Sequence, residues 1–240
     1  MINPFLNLQN INQMPISSST FQYLNNLKQN NNREWFHTNK KQYDKVKSDF
    51  EETIQELINS IGEFENMEGV QVKHCNYRIA RDVRFTTNKD PYKTHLSASF
   101  SEGGRKSGRM DYYLHISEDE SFLGGGMYSP TPEQLASLRQ EIDYNATALK
   151  SIIYAPEFVK VFGEAEGEIV KSAPKGYSKD NPEIKLLRKK QIFYWHKFTV
   201  EEVKSPDFVK NVTEVCRTLK PFLDFLNYIF FEHHEPKIKL

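Results

Sequence analysis

The chain has 240 residues, with 32 Lys and Arg against 32 Asp and Glu, so its overall charge of zero argues against a general polyanion binder. Hydrophobic residues at 38% and charged residues at 27% describe a globular domain with a sizeable core, and no apolar run approaches the roughly 18 residues of a membrane span. Cys75 and Cys216 lie far apart and outside any metal-ligand spacing, which fits a reduced, cytoplasmic protein with no metal centre. The opening MINPFLNLQNINQMP carries neither the basic nor the apolar segment of a signal peptide.

In chain order, residues 1–17 read as a loose tail rich in Asn, Gln and Ser, residues 18–231 as one globular unit, and residues 232–240 as a polar tail. His233 and His234 fall in that second tail, where solvation is their ordinary state. Phe21, Leu24 and Leu27 predict a short helix with Thr20 as its cap. Asn30 to Asn32 interrupt it, and a second start carries Trp35 and Phe36, aromatics expected to pack. Tyr43, Val46, Phe50, Ile54, Leu57, Ile58 and Ile61 recur at helical spacing and predict a long helix stopped by Gly62. A strand is expected around Val70 to Val72.

Arg78 to His95, RIARDVRFTTNKDPYKTH, concentrates five cations and two interleaved aromatics. Its first half alternates, with Ile79, Arg81, Val83 and Phe85 on one face, and reads as a strand. Asp90-Pro91-Tyr92-Lys93 then reads as a turn. Leu96 to Phe100 and Met110 to Ser117 predict two strands joined by a glycine-rich loop. In the second, Met110, Tyr112, Leu114 and Ile116 face one way, and Asp111, Tyr113 and His115 the other. Phe122 to Tyr128 is a further strand holding Gly124, Gly125 and Gly126. No Gly-Lys-Ser/Thr follows, so this is no phosphate loop; it marks a bulge or a close backbone approach, against whose flat surface a ligand or chain segment can lie.

Thr131-Pro132-Glu133-Gln134 opens a long helix that Leu135, Leu138, Ile142, Leu149 and Ile152 continue. Pro156 opens a short one through Phe162, ended by Gly163. Pro174-Lys175-Gly176-Tyr177 reads as a loop, and Asn181-Pro182-Glu183 as another helix start. Gln191 to Phe198 alternates as a strand, and Ser205-Pro206-Asp207 starts the last helix, with a break or kink expected near Pro221. Together these elements predict an α+β fold: an antiparallel sheet of hairpin-connected strands packed with helices from both ends of the chain.

The functional reading centres on the basic stretch. Lys73 to Arg109 holds nine Lys and Arg against Asp82, Asp90 and Glu102. Three readings are open: a structural arginine network, a pocket for a phosphate or carboxylate of a small molecule, or a nucleic-acid module with Tyr92 or Tyr113 as stacking platforms. The candidate ligand residues are Arg78, Arg81, Asp82, Arg84, Lys89, Tyr92 and Lys93, joined by Tyr113, His115 as a possible general base, and Lys175. No motif names a cofactor, a catalytic residue or a metal. Arg78-x-x-Arg81-Asp82-x-Arg84-Phe85 with Asn88-Lys89-Asp90-Pro91-Tyr92-Lys93 resembles the signature of a bacterial family of conserved hypothetical proteins, domain of unknown function 2461. Asn31-Asn32-Arg33-Glu34-Trp35-Phe36, Gly124-Gly125-Gly126-Met127-Tyr128-x-Pro130 and Pro174-Lys175-Gly176-Tyr177 are similar to further parts of it. The resemblance runs from about Phe21 to about Phe230 and implies a family without an assigned activity.

Overall fold

The computed structural model describes residues 16–232. Three helices open it: α1 (Ser18–Gln29), α2 (Arg33–Thr38) and α3 (Lys40–Ile61), with a short α4 (Val72–Cys75) behind them. The strands β1 (Leu96–Phe100), β2 (Tyr112–Ile116) and β3 (Ser121–Met127) follow. A helical excursion, α5 (Pro132–Asn145), α6 (Thr147–Ile153), α7 (Pro156–Phe162) and α8 (Ile184–Leu187), separates them from β4 (Ile192–Phe198). The described chain closes with α9 (Val200–Lys204), α10 (Phe208–Asn227) and a wider π-type turn, Tyr228–Glu232. The four strands form one antiparallel sheet in the order β1-β2-β3-β4. This is an α+β fold. Only β3 and β4 are not joined by a short connection; the excursion returns β4 to the edge of β3.

One face of the sheet is sealed by helices. In α3, Val46, Phe50, Ile54, Leu57, Ile58 and Ile61 fall on one buried stripe, as their helical spacing requires. In α10, Phe208, Val212, Cys216, Leu219, Phe222, Leu223 and Leu226 do the same, and the two helices meet each other while α10 lies along β3. Alternation along β2 presents Tyr112, Leu114 and Ile116 to this core.

Local chemistry accounts for several boundaries. Asn32 caps α2 by accepting the Trp35 N–H, and Thr131 and Gln134 close a reciprocal capping box on α5. Several expectations are corrected. Helix α1 begins at Ser18, so Thr20 is a buried helical residue and not the cap. Ile16, placed in the expected tail, is fully buried in the core; residues 1–15 and 233–240 lie outside the described residues. Val70 to Val72 is no strand: the Gln71 N–H donates to His74 Nδ1 and starts α4 instead. The long helix expected from Pro132 to Ile152 breaks at Ala146, where Asn145 Oδ1 accepts the Thr147 N–H and restarts it. Helix α9 was not foreseen, although Thr199 and Glu202 form its capping box. Pro221 does not break α10, which runs on to Asn227 because its apolar stripe is buried on both sides of the proline.

The largest correction concerns 78–85, which is a loop and not a strand. Its base is closed by the Arg81 N–H on the Pro91 carbonyl (2.9 Å) and the Lys93 N–H on the Ile79 carbonyl (2.8 Å). Beyond that base, Asp82 and Asn88 side chains take the N–H groups of Arg84 and Asp90, competing with any ladder. Ile79 alone of the apolar face is buried, and Phe85 is 93% exposed at the tip.

Candidate ligand site on the open sheet face

The register builds the other face of the sheet in rows. Ser99 stands opposite Tyr113, Tyr113 opposite Gly124, and Gly124 opposite Trp195. The next row is Ser97, His115, Phe122 and Lys197. At Gly124 a side chain is excluded, since a Cβ would fall 2.4 Å from the Tyr194 carbonyl oxygen and 2.9 Å from the Trp195 Cβ. The glycines therefore form the floor of a trough in the middle of the sheet. A cavity of about 380 Å³ lies over them. Tyr77, Ser99, Asp111 and Tyr113 line one side, Phe193, Trp195 and Tyr128 the other, and His115 and Phe122 one end.

The aromatic wall is continuous. His95 stacks on His115 at 4.1 Å, His115 on Phe122 at 4.9 Å, and Phe122 tilts against Trp195 at 5.3 Å. Phe193 then bridges Trp195 and Tyr128, each at 5.1 Å. From His115 onward these spacings are those of favourable ring pairs. Burial drives both histidines toward the neutral form. His95 is pushed down to about 3, first by desolvation and then by the charges of His115, Lys93 and Arg81. His115 is pushed down to about 4, again first by desolvation. An imidazole at that value is a weak general base at neutral pH.

One carboxylate faces this apolar surface. Desolvation raises the Asp111 carboxyl to about 6, against opposing hydrogen bonds from Ser99 and a backbone N–H. The Ser99 hydroxyl lies 3.1 Å from the Tyr77 hydroxyl, so Tyr77, Ser99 and Asp111 form a polar chain along one wall. Tyr77 is brought there because its N–H donates to the Ser97 carbonyl, laying its segment along the free edge of β1.

The rim is basic. Lys93 Nζ sits 5.1 Å from the Tyr77 ring centroid, and the Arg105 guanidinium 5.5 Å from the same ring. Arg105 is delivered by Gly104, whose φ of +74° allows the loop to close on His74; a Cβ there would lie 2.8 Å from the His74 carbonyl oxygen. Arg105 Nε then donates to the Asn76 carbonyl. Lys93 is shifted toward its neutral form, first by desolvation and then by the charges of Arg78 and Arg105.

The structure separates the candidate residues into groups. Tyr113 and His115 line the cavity, and Lys93 reaches its rim through Tyr77. Arg78 is exposed, with no hydrogen bond or ion pair among the described residues. The others are engaged elsewhere. Arg81 Nη1 donates to the Asp90 carbonyl at 3.3 Å, Arg84 pairs with Asp82 at 2.7 Å, and Lys89 Nζ donates to the Val83 carbonyl at 3.0 Å. Tyr92 stacks on Phe36 at 4.0 Å, and the Asn31 side chain brackets its backbone, accepting from its N–H and donating to its carbonyl. Lys175 is exposed in the loop whose Tyr177 lies near Arg139 and Asp143 of α5, and does not line the cavity.

Sequence reasoning missed Tyr77, Ser99, Asp111, Phe122, Phe193 and Trp195 as site residues. The signal for Asp111 was present in the alternation of β2, which sets it on the face of Tyr113 and His115. Among the described residues, no group of three or more His, Cys, Asp and Glu is placed to hold a metal ion, and no helix is long and apolar enough to cross a membrane.

A family model described as Conserved hypothetical protein (DUF2461) matches residues 19–225. The chain belongs to that family. The match runs from α1 almost to the end of α10, so every residue lining the cavity lies within the family's own domain. No curated protein and no solved structure matches the chain.

Proposed function

We propose that the chain binds a small molecule on the open sheet face, with a flat ring in the trough over Gly124 to Gly126 and an anionic group at the rim. The carrying observation is the pairing of an aromatic-walled cavity holding one carboxylate, Asp111, with a basic rim of Lys93 and Arg105. Its volume falls within the range of small-molecule sites, and convergent polar groups in a mostly aromatic cleft are their usual chemistry. A bare phosphate or carboxylate fits less well in the trough, where it faces Asp111. The anion is therefore best held outside, where the arginine-rich segment begins.

A second reading concerns the motif itself: its base stabilises the fold, supported by the Asn31 clamp on Tyr92 and the backbone closure at Ile79 and Lys93. The two readings divide the segment between them. A thermal-shift screen of wild type, Trp195→Ala and Arg84→Ala against heteroaromatic phosphates and carboxylates, and against the same anions without a ring, tests the first. A ligand at 100 times its Kd adds about 2.7 kcal/mol. The expected result is a shift for ring-bearing anions that Trp195→Ala loses and Arg84→Ala keeps. Shifts by simple anions that only Arg84→Ala abolishes would move the site to the exposed loop.

A further inference from the structure

The cavity's one charged wall residue restricts which ring can enter. The Ser99 hydroxyl and a backbone N–H already donate to Asp111, but a carboxylate offers about four acceptor sites. The rest of the lining is largely aromatic, so donors for the remaining sites must come from the bound molecule. A carboxylate is matched in two-point geometry by a pair of parallel N–H donors, the pattern it accepts from a guanidinium fork. An adenine or cytosine edge sets one donor beside a ring-nitrogen acceptor, which would meet the carboxylate with like polarity. A 2-amino-4-oxo-pyrimidine edge, as in guanine or a pterin, sets a ring N–H beside an amino group and offers two donors.

Resting on the proposed ligand site, we infer that its occupant is a fused heterocycle with such a two-donor edge against Asp111 and an anionic tail at Lys93 and Arg105. Phe193 and Trp195 supply the stacking surface on one side of the glycine floor, and Tyr113 stands on the other. In such a molecule the two-donor edge and the anionic tail lie at opposite ends, so it would run along the wall from Asp111 past Ser99 and Tyr77 to the cations over the Tyr77 ring. Guanine nucleotides and pterin carboxylates share this chemistry, and the test separates them.

The chain has two tryptophans, and Trp35 packs against Tyr23 away from the cavity, so Trp35→Phe leaves Trp195 as the sole indole reporter. This protein is titrated with GMP, AMP, guanosine, pterin-6-carboxylate and inorganic phosphate while Trp195 fluorescence is followed. The expected result is quenching by GMP or pterin-6-carboxylate, at least about tenfold tighter than by AMP, the weight of one charge-assisted hydrogen bond. Which of the two binds tighter identifies the source. Asp111→Asn, which puts a donor where the ligand needs an acceptor, removes the preference over AMP, and Lys93→Ala brings GMP to the level of guanosine. Equal binding of AMP and GMP, or a preference that survives Asp111→Asn in a protein folded by circular dichroism, overturns the ligand class while leaving a ring-binding cavity standing. Quenching by none of the ring compounds overturns the class and the cavity reading together, whereas binding of phosphate alone places an anion site without a ring.

Discussion

The two faces of β2 are built from neighbouring residues and do opposite things. Tyr112, Leu114 and Ile116 are buried beneath α3 and α10, whereas Asp111, Tyr113 and His115 look onto a cavity. The first face is closed because the apolar stripes of two long helices fit it. The second stays open because β3 carries no side chain at Gly124, between Tyr113 and Trp195, whereas a Cβ at Gly125 or Gly126 would meet Leu219, Leu223 or Phe222 of α10. The fold's stability and its candidate chemistry are thus separated by the pleat of one strand.

Substitutions on neighbouring positions test the division between the two faces. Leu114→Ala removes a fully buried side chain and is expected to cost about 2–5 kcal/mol in urea unfolding, whereas Tyr113→Ala on the open face costs distinctly less. Equal losses would mean that the open face is packed core as well. Asp111→Asn is expected to act in the opposite direction. Its carboxyl is raised from 3.8 to about 6, so the folded state holds the proton more tightly, and the contribution is lost as pH rises through 6. Replacing it therefore stabilises the protein at pH 7.5 by up to about 3 kcal/mol, and by less at pH 4, near the unfolded-state value. Thermal midpoints at the two pH values check this.

The histidine pair sharpens the same contrast with a smaller effect. Both values are lowered from 6.5, so the unfolded chain takes up protons first and stability falls with pH from 6.5 toward about 4. The slope is at most about 1.4 kcal/mol per pH unit for each imidazole. A His95→Gln, His115→Gln protein should lose that part of the slope relative to wild type; a parallel pH profile would contradict the burial of the pair. The smallest effect is expected at the loop tip. Arg84→Ala breaks an exposed pair with Asp82 and an exposed contact with the Phe85 ring, and should leave the unfolding midpoint where it is.

Much of the fold was legible from periodicity and capping: the stripe of α3, the alternation of β2, and the Thr131 to Gln134 box are local patterns with local causes. The arginine-rich run was misread because Ile79, Val83 and Phe85 alternate as a strand does, while nothing in the run tells that no partner strand awaits it. Its Asp82 and Asn88 side chains, which turn the backbone, were the better signal. The cavity was half legible. The glycine triplet and the polar face of β2 pointed to a flat open surface. Phe193 and Trp195 reach it only through the pairing of β4 with β3 across the helical excursion, which no local pattern records.

An amide chemical-shift map of ¹⁵N-labelled protein with a panel of heteroaromatic phosphates and carboxylates would locate the site directly. Glycine amides resolve well, and Gly124, Gly125 and Gly126 line the cavity floor. Saturable shifts are expected at these three and at Trp195, with residues 84–89 unmoved. Shifts confined to residues 84–89, or none with any member of the panel, would contradict a site on the open sheet face.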